Sequence, residues 1–158
     1  MAYEGEVLTY CPAEVFDFSD TNIVVVSGAK LNPYGHMLLN TGGKSGNFFQ
    51  VSDVYGLPRF MNADQFQRYL DENGKFIVTV FSVDVPDPQK AEAKLEEILS
   101  RKWFWGVVFH NCEGMVEEIV MAGGGRKLHR GKLLLPIDGA DQCTDWPIGR
   151  QPILDSSQ

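Results

Sequence analysis

The stretch from residue 107 to residue 120 constrains the fold more than any other part of this chain of 158 residues. A short apolar run ends at a polar pair, His110-Asn111, where a helical period begins. Asn111 is a favourable N-cap residue, and the glycines at 123–125 supply a helix stop. The pattern predicts a helix packed into the core, with apolar residues at i, i+3, i+4, i+7 and i+8 on one face: Cys112, Met115, Val116, Ile119 and Val120.

The predicted position of Cys112, in the first turn of this helix, has chemical consequences. Unpaired N–H groups and the positive end of the helix dipole stabilise an anion at a helix N-terminus. Such an environment lowers the pKa of a thiol from about 8.5 and makes it a nucleophile. The alternative interpretation is a buried cysteine that only opens a core helix, and this stretch alone leaves both interpretations open.

The remaining segments predict strands and helices that do not alternate regularly. Asn62 and Gln65 match a capping box at the start of one helix. The expected class is α+β, a small antiparallel sheet packed against about three helices in a single domain, 1–158. The core is expected over about 22–137, and the polar segment 138–158 is expected to wrap the surface as a C-terminal tail. Strands are predicted at 22–27, 35–41, 47–52, 76–83 and 132–137, helices at 62–72 and 86–101, and a loop at 53–60.

Charge and motif spacing exclude several classes of function. The formal net charge is −7 and no basic stripe is present, which argues against nucleic acid or an anionic membrane surface as a partner. No apolar run reaches the length of a membrane span. The string Gly42-Gly43-Lys44-Ser45 lacks the GxxxxGK[ST] spacing, so we reject a phosphate-binding loop.

Cysteine usage indicates where the protein is made. Cys11, Cys112 and Cys143 are an odd number without a CxxC pair, which argues against a disulfide framework and for a reducing compartment. The acidic N-terminus lacks the layout of a signal peptide. We therefore expect synthesis in the cytoplasm. A protein exported whole by a specialised secretion system would show the same features, so the place of action stays open.

A cysteine nucleophile needs a base and a group that orients the base. His36 is the first candidate for the base, because it begins a strand directly after a glycine; a histidine satisfied within the sheet is the alternative. Gln50 is the candidate orienter, because normal hairpin pairing places it near His36; a solvent-facing strand glutamine is the alternative. His110 and Asn111 are second-rank candidates, and the short link from His110 to the cysteine makes its geometry as a base awkward.

A metal site is a further interpretation, with ligand atoms from His36, His110, Cys112 and His129. No CxxC or HxxxH spacing fixes such a set, so we expect no metal and no other cofactor.

Three short motifs follow one another in a recognisable order: Gly35-His36 on a strand, Phe48-Phe49-Gln50 on the returning strand, and Asn111-Cys112-Glu113 at a helix start. Over about 30–122 this order resembles the circularly permuted papain-like fold of the NlpC-type superfamily, in which the histidine strand precedes the cysteine helix. That superfamily includes lecithin–retinol acyltransferase relatives and many bacterial amidases. The resemblance implies that Cys112 is the nucleophile, His36 the base and Gln50 the third residue of the site.

Two departures from the acyltransferase branch bear on the substrate. Met37 stands where that branch has an aromatic residue, and Gln50 stands where it has a second histidine. Both count against lipid acyl transfer. We therefore expect a cysteine hydrolase of amide bonds, in a peptide or a cell-wall peptide, that works through a thioester. The Cys112 backbone N–H is its candidate oxyanion donor.

The alternatives are a thioesterase, phospholipase or lipid acyltransferase on the same scaffold, and a non-catalytic binding or interaction domain. The expected partners are a peptide or acyl-containing substrate, with an inhibitory or immunity-type protein as a further candidate. No nucleic acid and no membrane span are expected, and the oligomeric state is left open.

Overall fold

The computed structural model describes residues 1–7, 16–28, 35–51, 57–99 and 111–128 of the chain. These residues form the α+β architecture that the sequence predicts. The strands are β1 (Glu6–Val7), β2 (Thr21–Val26), β3 (His36–Thr41), β4 (Asn47–Gln50), β5 (Arg59–Met61) and β6 (Ile77–Val83). The helices are α1 (Ala63–Asn73), α2 (Pro88–Leu99) and α3 (Asn111–Ala122), and a short 3₁₀ turn at Gly43–Ser45 joins β3 to β4.

The strands form one antiparallel sheet in the order β1-β5-β4-β3-β2-β6. β2 lies between β3 and β6, and all of its residues are buried. A strand covered on both faces carries apolar residues without alternation, which explains the unbroken run from Ile23 to Val26. β3 pairs with β2 from Thr21↔Thr41 to Val26↔His36, so His36 lies at the very start of the paired region.

Each face of the sheet has its own core. Along β3, Met37 and Leu39 point to one face, and His36 and Leu38 point to the other. The helices α2 and α3 pack on the Met37 face, whereas α1 packs on the Leu38 face. α3 and the His36 side chain belong to opposite faces of the sheet. How close Cys112 comes to His36 therefore depends on where the first turn of α3 crosses β3.

Side-chain caps fix the starts of α1 and α2. The side chain of Asn62 accepts from the Gln65 N–H, and the side chain of Gln65 accepts from the Asn62 N–H, both at 2.9 Å, which is the predicted capping box. The Asp87 carboxylate accepts from the Lys90 N–H at 3.2 Å, and Pro88 occupies the first position of α2. α2 therefore begins two residues later than predicted.

The cysteine helix α3 begins and ends close to the predicted positions. It begins at Asn111, the residue predicted to precede it as N-cap. At its C-terminus the N–H of Gly124 donates to the Met121 carbonyl at 3.0 Å, and the N–H of Gly125 donates to the Val120 carbonyl at 2.9 Å. This is a Schellman motif, and Gly124 adopts the left-handed φ of 79° that the motif requires.

Two strands were not predicted. β5 begins inside the predicted loop 53–60, and β1 lies in a stretch without a clear period. Each is too short to carry an alternating pattern, and each depends on pairing with another strand, β5 with β4 and β1 with β5. The predicted strand 132–137 and the predicted tail 138–158 lie outside the described residues.

Candidate functional site

The hairpin of β3 and β4 joins His36 directly to Gln50. The pairing runs from Thr41↔Asn47 to Leu39↔Phe49, and continuing the alternation places both side chains on the face that α1 covers. Nε2 of His36 lies 2.7 Å from Oε1 of Gln50. Gln50 has 0% exposure, so it is not the solvent-facing glutamine of the alternative interpretation.

The far side of the Gln50 amide is held by Glu4. Nε2 of Gln50 donates to the Glu4 main-chain oxygen at 2.7 Å and to the Glu4 carboxylate at 3.4 Å. The Gln50 oxygen must therefore face His36, and because an amide oxygen only accepts, Nε2 of His36 carries the ring proton. In a neutral imidazole with this tautomer, Nδ1 is the basic nitrogen.

The sulfur of Cys112 reaches β3 at the residue next to His36. Sγ of Cys112 accepts a hydrogen bond from the Met37 N–H at 3.5 Å. The pairing of β3 with β4 ends at Leu39↔Phe49, so the Met37 N–H lies beyond the paired part and is available to the sulfur. The amide that donates to the thiol is thus part of the peptide bond that joins His36 to Met37.

The electrostatics of Cys112 differ from the sequence prediction. Burial raises the pKa of the thiol, and the N–H groups of Met37, Glu113 and Cys112 itself act in the opposite direction without cancelling that effect. The expected lowering of the pKa at the helix N-terminus is therefore wrong. The N–H groups are placed as predicted, but the loss of solvation is larger.

His36 is also neutral at neutral pH. The pKa of His36 is lowered from 6.5 to about 4, mainly by burial; the hydrogen bond that the ring donates to Gln50 raises it, the Lys75 charge lowers it and the Glu4 charge raises it. Cys112 and His36 are thus an uncharged thiol and an uncharged imidazole, and neither side chain is completely buried.

A buried tyrosine on α1 lies on the same face of the sheet as His36. Tyr69 packs in the core on the His36 face, and burial raises the pKa of its phenol. The negative charges of Glu4 and of ionised Cys112 raise that pKa further. The phenol of Tyr69 is therefore uncharged at neutral pH.

Of the predicted site residues, the structure brings His36 and Gln50 into direct contact, and it places Cys112 against the main-chain N–H of Met37, on the opposite face of the sheet from the His36 side chain. His110 and His129 lie outside the described residues, as does the side chain of Asn111. The described part of the chain contains no group of three His, Cys, Asp or Glu side chains that could hold a metal ion.

Sequence reasoning missed two groups, the main-chain N–H of Met37 and the residue Glu4. Any residue other than proline after His36 would supply the same N–H, so its identity carries almost no signal. Glu4 lies 46 positions from Gln50, in a segment with no strong period, and only the tertiary fold brings it to the site.

No helix among the described residues has the length and apolar character that crossing a membrane requires. Comparison of the chain with protein-family models, with curated proteins and with solved structures finds no match.

Proposed function

We propose that this protein is a cysteine-dependent hydrolase of amide bonds, with a peptide or a cell-wall peptide as substrate. The observation that carries the proposal is the oriented pair of His36 and Gln50, 2.7 Å apart, with the Cys112 thiol held at the adjacent strand residue. A thiol, a base and a group that orients the base are what nucleophilic hydrolysis by cysteine needs.

The chemistry follows from the neutral state of the pair. As Sγ of Cys112 attacks the carbonyl carbon, its proton passes to Nδ1 of His36, because Nε2 already carries a proton that it donates to Gln50. The imidazolium then gives the Nδ1 proton to the leaving amine, and a thioester forms. Water, activated by the same nitrogen, hydrolyses the thioester and returns the thiol.

Developing charge in this reaction meets N–H groups that are already in place. The amides of Met37, Glu113 and Cys112 stabilise negative charge on the sulfur. The Cys112 N–H, at the start of α3, is the candidate donor to the oxyanion. In the proposed reaction these donors, rather than a preformed thiolate, favour attack.

The proposal includes a permuted papain-like scaffold. The order of the parts supports it: the histidine strand β3, the glutamine strand β4 and then the cysteine helix α3, which packs on the sheet. A circular permutation of this kind changes the order of the parts along the chain and leaves the chemistry unchanged.

The test compares a fluorogenic peptide amide with a short-chain thioester. We expect the parent protein to hydrolyse the amide, and mass spectrometry after rapid acid quenching to find an acyl adduct on Cys112. Cys112→Ala serves as the inactive control. Hydrolysis of the thioester alone would indicate a thioesterase instead of an amidase. Hydrolysis of neither substrate would contradict the proposal that the protein is a hydrolase.

The second candidate is a non-catalytic binding domain, and the raised pKa of Cys112 favours it, because a protonated thiol reacts slowly. Alkylation by iodoacetamide separates the two candidates. In a hydrolase, His36 assists the loss of the thiol proton, so His36→Ala should slow the alkylation of Cys112. Equal rates in parent and variant would favour the binding domain.

A further inference from the structure

The N-terminal segment, residues 1–7, contacts Gln50 on the side of its amide that faces away from His36. Two oxygens of Glu4 accept from the amide nitrogen of Gln50, the main-chain oxygen at 2.7 Å and one carboxylate oxygen at 3.4 Å. The segment is anchored on α1, because the Tyr3 N–H donates to the Glu72 carboxylate at 2.7 Å and the Asn73 amide donates to the Tyr3 carbonyl at 2.8 Å. These bonds hold Glu4 at a fixed place beside Gln50.

We propose that Glu4 is a positioning residue of this site, whose two acceptors hold the Gln50 amide so that only its oxygen faces His36. A flipped amide would present its NH₂ group to the ring and set its oxygen against both acceptors of Glu4. That arrangement loses two hydrogen bonds and places acceptors in contact. The ring nitrogen of His36 that can take the thiol proton therefore depends on Glu4.

The inference deepens the proposed function and rests on it where turnover is concerned. Two charged groups act on His36: Glu4 from the N-terminal segment and Lys75 from the connection between α1 and β6. Two further titratable side chains lie on the elements packed against β3, Tyr69 of α1 in the core on the same face and Cys112 of α3 at the Met37 N–H. The Glu4 charge raises the pKa of His36 and the Lys75 charge lowers it. Removal of the Glu4 charge should therefore shift the ionisation of His36 to lower pH, which a mere tether of the segment would not do.

The first test compares Glu4→Gln with Glu6→Gln. Glu6 is a matched control, because it is exposed, belongs to the same segment and accepts from the Tyr3 hydroxyl at 2.9 Å rather than from Gln50. NMR titration of the His36 ring, assigned by its loss in His36→Asn, should show a lower midpoint in Glu4→Gln than in the parent or in Glu6→Gln. The kcat of Glu4→Gln should fall about fivefold with KM unchanged, because the charge-assisted hydrogen bond to Gln50 becomes a neutral one.

The second test displaces the main-chain oxygen of Glu4. Gly5 has a φ of 97°, and a Cβ there would lie 3.0 Å from Cγ of Met61 and 3.1 Å from the Phe60 carbonyl oxygen, so Gly5→Ala should move the segment. Gly124→Ala is the matched control, since Gly124 also has a positive φ but ends α3. Nitrogen chemical shifts of His36 should show a mixture of tautomers in Gly5→Ala and the single Nε2–H form in Gly124→Ala.

These outcomes separate the two proposals. If Glu4→Gln and Glu6→Gln titrate alike at His36, and Gly5→Ala keeps the parent tautomer, Glu4 has no positioning role. Both NMR measurements work without turnover, so a parent protein that hydrolyses nothing would overturn the proposed function while the role of Glu4 is still decided by the ring of His36.

Discussion

The main-chain N–H of Met37 donates a hydrogen bond to Sγ of Cys112 across 3.5 Å, and this contact joins the first turn of α3 to the strand that carries His36. The contact depends on the docking of α3, whose apolar face is completely buried at Met115, Val116 and Ile119. The position of the thiol is thus set by core packing more than by the local sequence around the cysteine.

Replacement of Cys112 by alanine should abolish hydrolysis and leave the fold nearly intact. The side chain is only partly buried and packs at the margin of the core, so its loss should cost about 1 kcal/mol or less in the free energy of unfolding. Urea denaturation measures the stability and a peptide amide assay measures the rate. Retention of activity in this variant would remove the cysteine from the mechanism.

Replacement of His36 by asparagine should flatten the pH dependence of stability. The pKa of His36 is about 4 in the folded protein and 6.5 as the reference for the unfolded chain, so between these values the unfolded chain binds a proton that the folded protein does not. The free energy of unfolding of the parent should therefore fall as the pH drops from about 6.5 to about 4. Urea denaturation across this range should show a smaller fall in His36→Asn, and parallel curves would contradict the buried neutral imidazole.

Alanine at His36 should reduce the rate more than alanine at Gln50. Loss of the base should cost roughly 10²- to 10⁴-fold in kcat. Loss of Gln50 should cost about 10- to 100-fold, because the imidazolium loses one charge-assisted hydrogen bond. Asn40→Ala is a matched control, since Asn40 is also a buried strand amide, bonded to the Gly43 carbonyl at 2.9 Å and not to His36. A Gln50→Ala protein as active as the parent would make Gln50 a structural residue only.

Two glycines of the α3 region should respond to alanine with opposite signs. A Cβ at Gly123 would meet Cγ1 of Val85 inside van der Waals contact and lie 2.9 Å from Cβ of Ala91, so Gly123→Ala should destabilise the protein by about 1–3 kcal/mol. A Cβ at Gly114 meets none of the described atoms within 4 Å, so Gly114→Ala should stabilise α3 by about 0.5–1 kcal/mol. Thermal denaturation of both variants checks the two signs, and a destabilised Gly114→Ala would show that this position is more crowded.

The elements with strong local signals were predictable, and those that depend on pairing within the sheet alone were not. The box of Asn62 and Gln65 and the glycines after α3 act through neighbouring backbone groups, so their residue types fix the helix ends. β1 and β5 exist only because the sheet supplies partners, and nothing within Glu6–Val7 or Arg59–Met61 marks a strand.

The same distinction applies to the site. The contact of His36 with Gln50 follows from hairpin register, which the sequence predicts. The direction of the shift in the pKa of Cys112 cannot be predicted from the sequence, because it depends on how deeply tertiary packing buries the sulfur. Glu4 contacts Gln50 only because the tertiary fold brings two distant segments together, and no local sequence pattern predicts this contact.

The bonds of the site span very different lengths of chain: 14 residues from His36 to Gln50, 46 from Glu4 to Gln50 and 75 from Met37 to Cys112. Loop closure costs more entropy as the loop lengthens. During refolding we therefore expect the imidazole to meet its glutamine early and the sulfur to arrive last. During synthesis on the ribosome, the site would then be incomplete until α3 has emerged and docked on the sheet. We therefore expect the site to be inactive throughout most of synthesis.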